Sequence, residues 1–395
     1  MIQTVRGVKP EKREIDQVLN HFAKKFGDTF VRAASDVLQP MRLSTGIFAL
    51  DMALCGGLFV GKQNMFMGRR SSGKTTTAMK VIANAQKMYS DKICVFLDME
   101  DAFDSVWATK LGVDTDRLLV VKPETGEDCV DAVQAFCNAE DVCLVVLDSI
   151  ASLIPMKERD GAAEDVFVGI HAKLVTTMVR KVNSALTRAA SRGQDLTVLY
   201  INQERAGIGK WAPPGQEAIS NPGGKALDHY TALQVIFKNK ETVSKDDDGF
   251  DLLEFNEHSF KIDKNKFNAG IRKGEFQLMR RANEELYLRE GDIDDATAML
   301  ATAKRMGIYT GGGQSWTLEI PIGEELVQLP YRKADDCIEA MYYDRSIYQS
   351  LRNHLIANHA VKLEMPQYVI DRIYEQEYAF HDPKTEGEEA VEVEA

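Results

Sequence analysis

The chain has 395 residues, 44% of them hydrophobic and 27% charged, and carries a formal net charge of −12. That composition excludes a disordered polypeptide, and the length exceeds one small core. No run approaches the roughly eighteen apolar residues of a membrane helix, and the opening MIQTVRGVKPEKRE turns charged at once instead of forming a secretory signal. A cytoplasmic protein without a membrane partner is expected, and an acidic balance admits nucleic acid only where basic residues gather locally.

In chain order, Ile15, Val18, Leu19, Phe22, Ala23 and Phe26 share one helical face that stops at Gly27, and Thr29 to Ala33 follows as an edge strand. This N-terminal arm, residues 1–35, can pack on a neighbouring subunit or on its own domain, and the pattern leaves both open. Next, Gly68-Arg69-Arg70-Ser71-Ser72-Gly73-Lys74-Thr75 matches G-x-x-x-x-G-K-[ST], the phosphate-cradling P-loop. A strand pattern over 63–67 precedes it and a helical pattern over 75–89 follows, which argues against a chance match in a glycine-rich turn. In such a loop, backbone N–H groups and a helix N-terminus face polyphosphate, Lys74 meets the β/γ oxygens and the Thr75 hydroxyl meets Mg²⁺.

Apolar runs at 93–98, 118–121, 144–148 and 196–202, separated by helical segments such as 171–190, predict an α/β fold with a central, mostly parallel sheet. Asp148 ends one of these strands, where it can support Mg²⁺ through water or cap a helix. Glu100, just past another, can polarise the water that attacks a γ-phosphate or be a surface acid. Trp107 can cover an adenine face or belong to the core. Residues 203–225 are rich in Gly, Pro and polar side chains and read as one long loop. Segments 232–237, 259–266 and 274–279 alternate like antiparallel strands. From about residue 282 the pattern changes to a helix at 292–306, a turn at 310–313 and a helix at 335–341, a small α+β C-terminal domain over 282–381. The acidic residues 382–395 read as a solvated tail. The six cysteines occur singly, without a C-x-x-C pair, so reduced buried thiols are expected, and no metal site beyond nucleotide-bound Mg²⁺ is indicated.

Together, Ser71 to Thr76, Asp98 to Asp104, Lys110 to Asp114, Asp148 to Leu153 and Ile201-Asn202-Gln203 resemble the signatures of the RecA recombinases over roughly residues 40–280. The resemblance implies a RecA-like P-loop ATPase core over 36–281, with ATP and Mg²⁺ as cofactors. It puts Gly68, Arg69, Arg70, Ser71, Ser72, Gly73, Lys74, Thr75, Thr76, Asp104 and Trp107 at the nucleotide, and Thr75 and Asp148 at Mg²⁺. Glu100, Lys74 and Gln203 become catalytic, Gln203 sensing the γ-phosphate. Two loops are implied to contact DNA. The first, 157–169, brings Arg159, Gly161, Phe167 and Gly169, with Lys173 just behind; the second, within 204–225, brings Arg205, Gly207, Gly209, Lys210, Trp211, Gly223, Gly224 and Lys225. Lys264 and Lys266, in a K-N-K motif, are implied to reach the nucleotide of an adjacent subunit. Arg69-Arg70 in place of Pro-Glu, Glu204 beside Gln203, Asp228 in place of a lysine and the altered 166–168 depart from the usual bacterial pattern. They point to a phage-type member, acting in the host cytoplasm.

The implied function is a DNA-dependent ATPase that forms helical filaments on single-stranded DNA and exchanges strands with homologous double-stranded DNA. A hexameric RecA-fold helicase or translocase, and a recombination mediator that binds ATP with little hydrolysis, remain the alternatives.

Overall fold

Alternating short apolar runs and helical segments build a layered α/β core. A computed structural model describes residues 14–26, 38–161, 169–206, 219–220, 222–245, 251–268, 270–323 and 325–380. Among these, a nine-stranded sheet has the order 293–294, 273–279, 251–265, 233–245, 63–68, 197–203, 142–148, 93–98, 118–121. From 233–245 to 118–121 neighbouring strands run parallel, and the three strands at the other edge are antiparallel.

The central strands are buried along almost their whole length because both faces are covered. Phe66, Phe96, Leu144 and Ile201 pack with Ala78, Val81 and Ile82 of the helix Lys74–Met88. Their strand neighbours Met65, Val95, Val145 and Val198 meet Val175, Met178, Val179 and Val182 of the helix Ile170–Ser191 on the other face. All six cysteines are free and buried, and no described helix is long and apolar enough to cross a membrane.

The C-terminal part is α+β: helix Ala296–Met306, an antiparallel sheet of Tyr309–Gly312, Ser315–Ile322 and Glu325–Tyr331, then helices Ala334–Tyr343, Arg345–Lys362 and Gln367–Tyr374. Its core includes Phe48, Met52 and Cys55 from and beside the helix Phe48–Leu54, together with Leu351, Leu355 and Ile373. A buried ion cluster reinforces this junction. Arg352 donates from Nη2 to Asp51 Oδ2 at 2.6 Å and from Nη1 to Asp295 Oδ2 at 3.3 Å, all three side chains being at most 2% exposed. Ser44 and Thr45 complete the shell of Asp51, and the Phe48 N–H and Tyr348 hydroxyl that of Asp295. Burial pushes the Asp295 carboxyl up, and Arg352 opposes it.

Several expectations need correction. The stretch 203–225 is not one loop: Arg205–Ala206 pairs antiparallel with Ile219–Ser220, and the helix Gly224–Tyr230 takes in Gly224 and Lys225. Two-residue pairings are too short to leave a periodicity. The strand expected at 259–266 begins at Asp251, in a hairpin with Leu233–Lys245 whose outer half carries polar residues. Segment 232–237 is antiparallel on one side only, since it also pairs parallel with the P-loop strand. The helix expected from 292 starts at Ala296, because Ile293–Asp294 is used as a sheet-edge strand. The N-terminal helix spans Glu14–Phe26 with Ile15 52% and Val18 45% exposed; the strand expected at 29–33 and the tail 382–395 lie outside the described residues.

Removing Arg352 strands two buried carboxylates, so Arg352→Ala is expected to destabilise the fold by about 3–5 kcal/mol. Urea denaturation measures this, and a loss under about 1 kcal/mol would show that the carboxylates do not depend on the arginine.

Candidate active site

Sheet register assembles the site. In the parallel ladder Gly68 lies opposite Gln203, Asp148 opposite Ile201, and Asp98 opposite Asp148. The carboxyl ends of these strands therefore deliver the P-loop, Gln203, Asp148 and the Asp98–Glu100 turn to one edge, where open α/β sheets take ligands.

The P-loop turn needs Gly68: a Cβ there would lie 2.5 Å from the Phe237 carbonyl oxygen. Ser71 adopts a left-handed φ of 59° and Gly73 a φ of 90° before the helix begins. Lys74 is buried and curls back, donating from Nζ to the Arg69 carbonyl at 2.8 Å. Burial pushes its ammonium pKa down, and Asp148, Glu100 and Glu204 hold it up. Thr75 Oγ1 donates to Asp148 Oδ2 at 2.5 Å. Burial raises the Asp148 carboxyl to about 6, against the pull of the Thr75 hydrogen bond. One hydroxyl and one carboxylate side by side are hard oxygen donors of the kind Mg²⁺ takes while keeping several waters. Among the described residues no group of three or more His, Cys, Asp or Glu could hold a metal by itself.

Asp98 organises the neighbouring turn. Its carboxylate accepts the N–H groups of Glu100 at 3.2 Å, Ala102 at 3.0 Å and Phe103 at 3.0 Å. The exposed Glu100 is thereby presented to solvent beside the P-loop edge. Its Oε1 accepts from Gln203 Nε2 at 2.5 Å, Ser149 Oγ at 2.6 Å and Ser152 Oγ at 3.0 Å.

Asp104 caps the helix Ser105–Lys110, its Oδ1 accepting the Trp107 N–H at 3.0 Å. Trp107 sits half-buried at the core's rim with the Arg280 guanidinium 4.4 Å from its ring centre. A base approaching that face meets Arg280 first. Behind the P-loop, His258 is 2% exposed and lies so close to Gly73 that an added Cβ would be 2.4 Å from Cε1. Burial lowers its pKa to about 4, against the pull of the Ser72 backbone, so a neutral imidazole packs there. Glu204, whose carboxyl burial pushes up, is held back by Arg69 first and then by Lys238 and Lys74. Two departures from the usual pattern, Arg69 and Glu204, thus answer each other within one chain.

The DNA-contact candidates lie mostly around these elements. Arg159 is exposed on the helix Met156–Asp160 and paired with Asp160 at 2.8 Å, with Gly161 directly after. Gly169 and exposed Lys173 open the helix Ile170–Ser191. Gly223 caps the helix carrying Gly224 and exposed Lys225, and Arg205 stands in the short ribbon. Phe167, Gly207, Gly209, Lys210 and Trp211 lie outside the described residues. Lys264 and Lys266 are not at their own P-loop. They stand six and eight positions past His258, and their ammonium groups rest on the carbonyls of Asp228 and His229.

Sequence reasoning assigned no role to Ser149, Ser152 or Arg280. Ser149 stands next to the strand-end acid Asp148, which was the available signal; nothing local marks Ser152 or Arg280.

Fold and site define a P-loop α/β protein of the nucleotide-binding class. A family profile described as the RecA N-terminal domain matches residues 13–283. Proteins named Protein RecA are similar over most of the chain. The one from Bifidobacterium breve is 33% identical over 307 residues, 75% of this chain and 72% of its own. That from Mycobacteroides abscessus is 35% identical over 271 residues, covering 68% and 74%, and that from Chloroflexus aurantiacus is 32% identical over 307 residues, covering 76% and 83%. The chain belongs to the RecA family of recombinases.

Lys74→Ala removes the buried cation of the phosphate loop. Affinity for a fluorescent ATP analogue is expected to fall about hundredfold or more, and an affinity within threefold of wild type would contradict the assigned role.

Proposed function

We propose that the chain is a Mg²⁺-dependent, DNA-dependent ATPase that assembles as a helical filament on single-stranded DNA and exchanges strands with homologous duplex. The observation that carries this reading is the 2.5 Å hydrogen bond from Gln203 to Glu100. Gln203 both touches the carboxylate of the nucleotide edge and leads into the Gly- and Lys-containing segment that follows.

In this reading Lys74 and the P-loop N–H groups bind the β- and γ-phosphates. Thr75 and Asp148 would hold Mg²⁺, which supplies positive charge at the phosphate oxygens. Glu100 orients the attacking water, accepting its proton as ADP and phosphate form. Trp107, with Asp104 and Arg280 around it, takes the adenine. When Gln203 turns from Glu100 to a γ-phosphate oxygen, the segment after it loses one support and gains another, which ties nucleotide state to DNA grip. Arg159, Lys173, Arg205, Lys210 and Lys225 neutralise DNA phosphates, while Phe167 and Trp211 stack on bases.

Self-association completes the site. Lys264 and Lys266, remote from their own P-loop, reach the nucleotide of the adjacent protomer, and the exposed Ile15 and Val18 of the N-terminal helix dock on a second copy. Residues 1–35 act as this arm, 36–281 as the ATPase core and 282–381 as a C-terminal domain.

ATP turnover is expected to rise on adding single-stranded DNA, and Glu100→Gln to abolish turnover while keeping ATP-dependent DNA binding. Log affinity for DNA against log salt should have a slope of about −0.7 per neutralised phosphate. No stimulation together with no DNA binding in any nucleotide state would sink the proposal, and closed rings instead of helical filaments in electron micrographs would favour the helicase alternative.

A further inference from the structure

We propose that Ser149 and Ser152 form a hydroxyl clamp that keeps the Glu100 carboxylate aimed at water while Gln203 is engaged elsewhere, with Ser152 as a positioning residue. The clamp rests on the reading of Glu100 as the carboxylate that orients the attacking water.

Three donors meet one oxygen. Gln203, Ser149 and Ser152 all lie within 3.0 Å of Glu100 Oε1, and no described residue bonds Oε2. The carboxylate is thus gripped on one side and open on the other, the form a water-orienting group requires. Its side chain is exposed and stands on a turn, so without donors it would sample several rotamers.

Gln203 cannot be the permanent holder. Its amide is the group proposed to reach the nucleotide, and hydrolysis takes place when the γ-phosphate is present. At that moment Glu100 keeps only the hydroxyl donors. Ser149 is fully buried at the end of the strand Val142–Asp148. Ser152 closes the short helical turn Ile150–Ser152, its N–H bonded to the Ser149 carbonyl at 3.2 Å. Both hydroxyls therefore sit on backbone that the sheet edge fixes.

The protons can be counted. Ser152 has one hydroxyl hydrogen and two acceptors at 3.0 Å, Glu100 Oε1 and Ser149 Oγ. In one arrangement both serines donate to the carboxylate. In the other Ser152 donates to Ser149, which donates to Glu100 at 2.6 Å. Either way Ser149 is oriented and Glu100 stays gripped, and hydrogen bonds to an ionised acceptor are the stronger kind.

The test compares Ser152→Ala, Ser152→Thr and the Ser149→Ala/Ser152→Ala pair in the full chain, reading DNA-stimulated kcat, KM for ATP and affinity for a fluorescent ATP analogue. Ser152→Ala is expected to lower kcat about tenfold, the factor that matches one hydrogen bond to a charged group. KM and nucleotide affinity should stay within about twofold, because the Ser152 hydroxyl meets Glu100 and Ser149 and is assigned no contact with the nucleotide. Ser152→Thr, which keeps the hydroxyl, should recover most of the rate, and the double variant should approach Glu100→Gln. An unchanged kcat in Ser152→Ala overturns the clamp. So does a parallel loss of kcat, affinity and thermal stability that threonine does not restore, since that marks a packing role. A wild-type chain without turnover overturns the reading of Glu100 and the clamp with it; turnover abolished by Glu100→Gln yet indifferent to both serines overturns the clamp alone.

Discussion

Parallel register is the constraint on which the rest depends. Side chains alternate faces along a strand, so a one-residue slip would move Phe66 and Met65 to the wrong layers and forfeit both cores. The same slip would part Gly68 from Gln203 and Asp98 from Asp148, which lie opposite each other in the ladder. Packing and chemistry are therefore fixed by one set of hydrogen bonds. The 2.5 Å contact of Thr75 with Asp148 closes the arrangement, tying the first turn of the P-loop helix to a strand two places across the sheet.

Electrostatics follows from that convergence. Asp98, Glu100 and Asp148 arrive at one edge with Lys74 among them. Burial and the nearby Glu100 push Asp148 up, while Lys74 and Thr75 pull it back. The Asp98 oxygens accept three backbone N–H groups. Lys74 Nζ donates to the Arg69 carbonyl, so on the proposed reading a phosphate would replace one polar partner with another and leave no buried ammonium bare. Arg69, odd for its place in a phosphate loop, has the half-buried Glu204 within its field.

What could be read from the sequence was whatever short spacing encodes. Gly68 to Thr75, the strand-end acid Asp148 and Glu100 two residues past its strand are local patterns, and the apolar runs around them disclosed a parallel sheet. The helix Arg345–Lys362 escaped because its inner face is not purely apolar: Arg352 and Asn353 are buried with Leu351 and Leu355. Arg352 belongs inside because Asp51, 301 residues earlier in the chain, and Asp295 meet it there. Ser152 and Arg280 were illegible for the same reason. A serine past a strand and an arginine after a strand gain meaning only from Glu100 and Trp107, which the fold brings to them. The ribbon of Arg205–Ala206 with Ile219–Ser220 was hidden by its brevity.

On the proposed reading, the sheet also limits where nucleotide-driven movement could begin. The Gln203 backbone lies opposite Gly68 in the parallel ladder, and the Glu204 N–H donates to the Gly68 carbonyl at 3.1 Å. A shift of either backbone would break ladder bonds that also shape the phosphate loop. The Gln203 amide, by contrast, can leave Glu100 by side-chain rotation alone, a change of rotamer and not of register. On the proposed reading of Gln203 as the γ-phosphate sensor, motion would therefore start in a side chain, because the Gln203 and Glu204 backbones are both tied to Gly68.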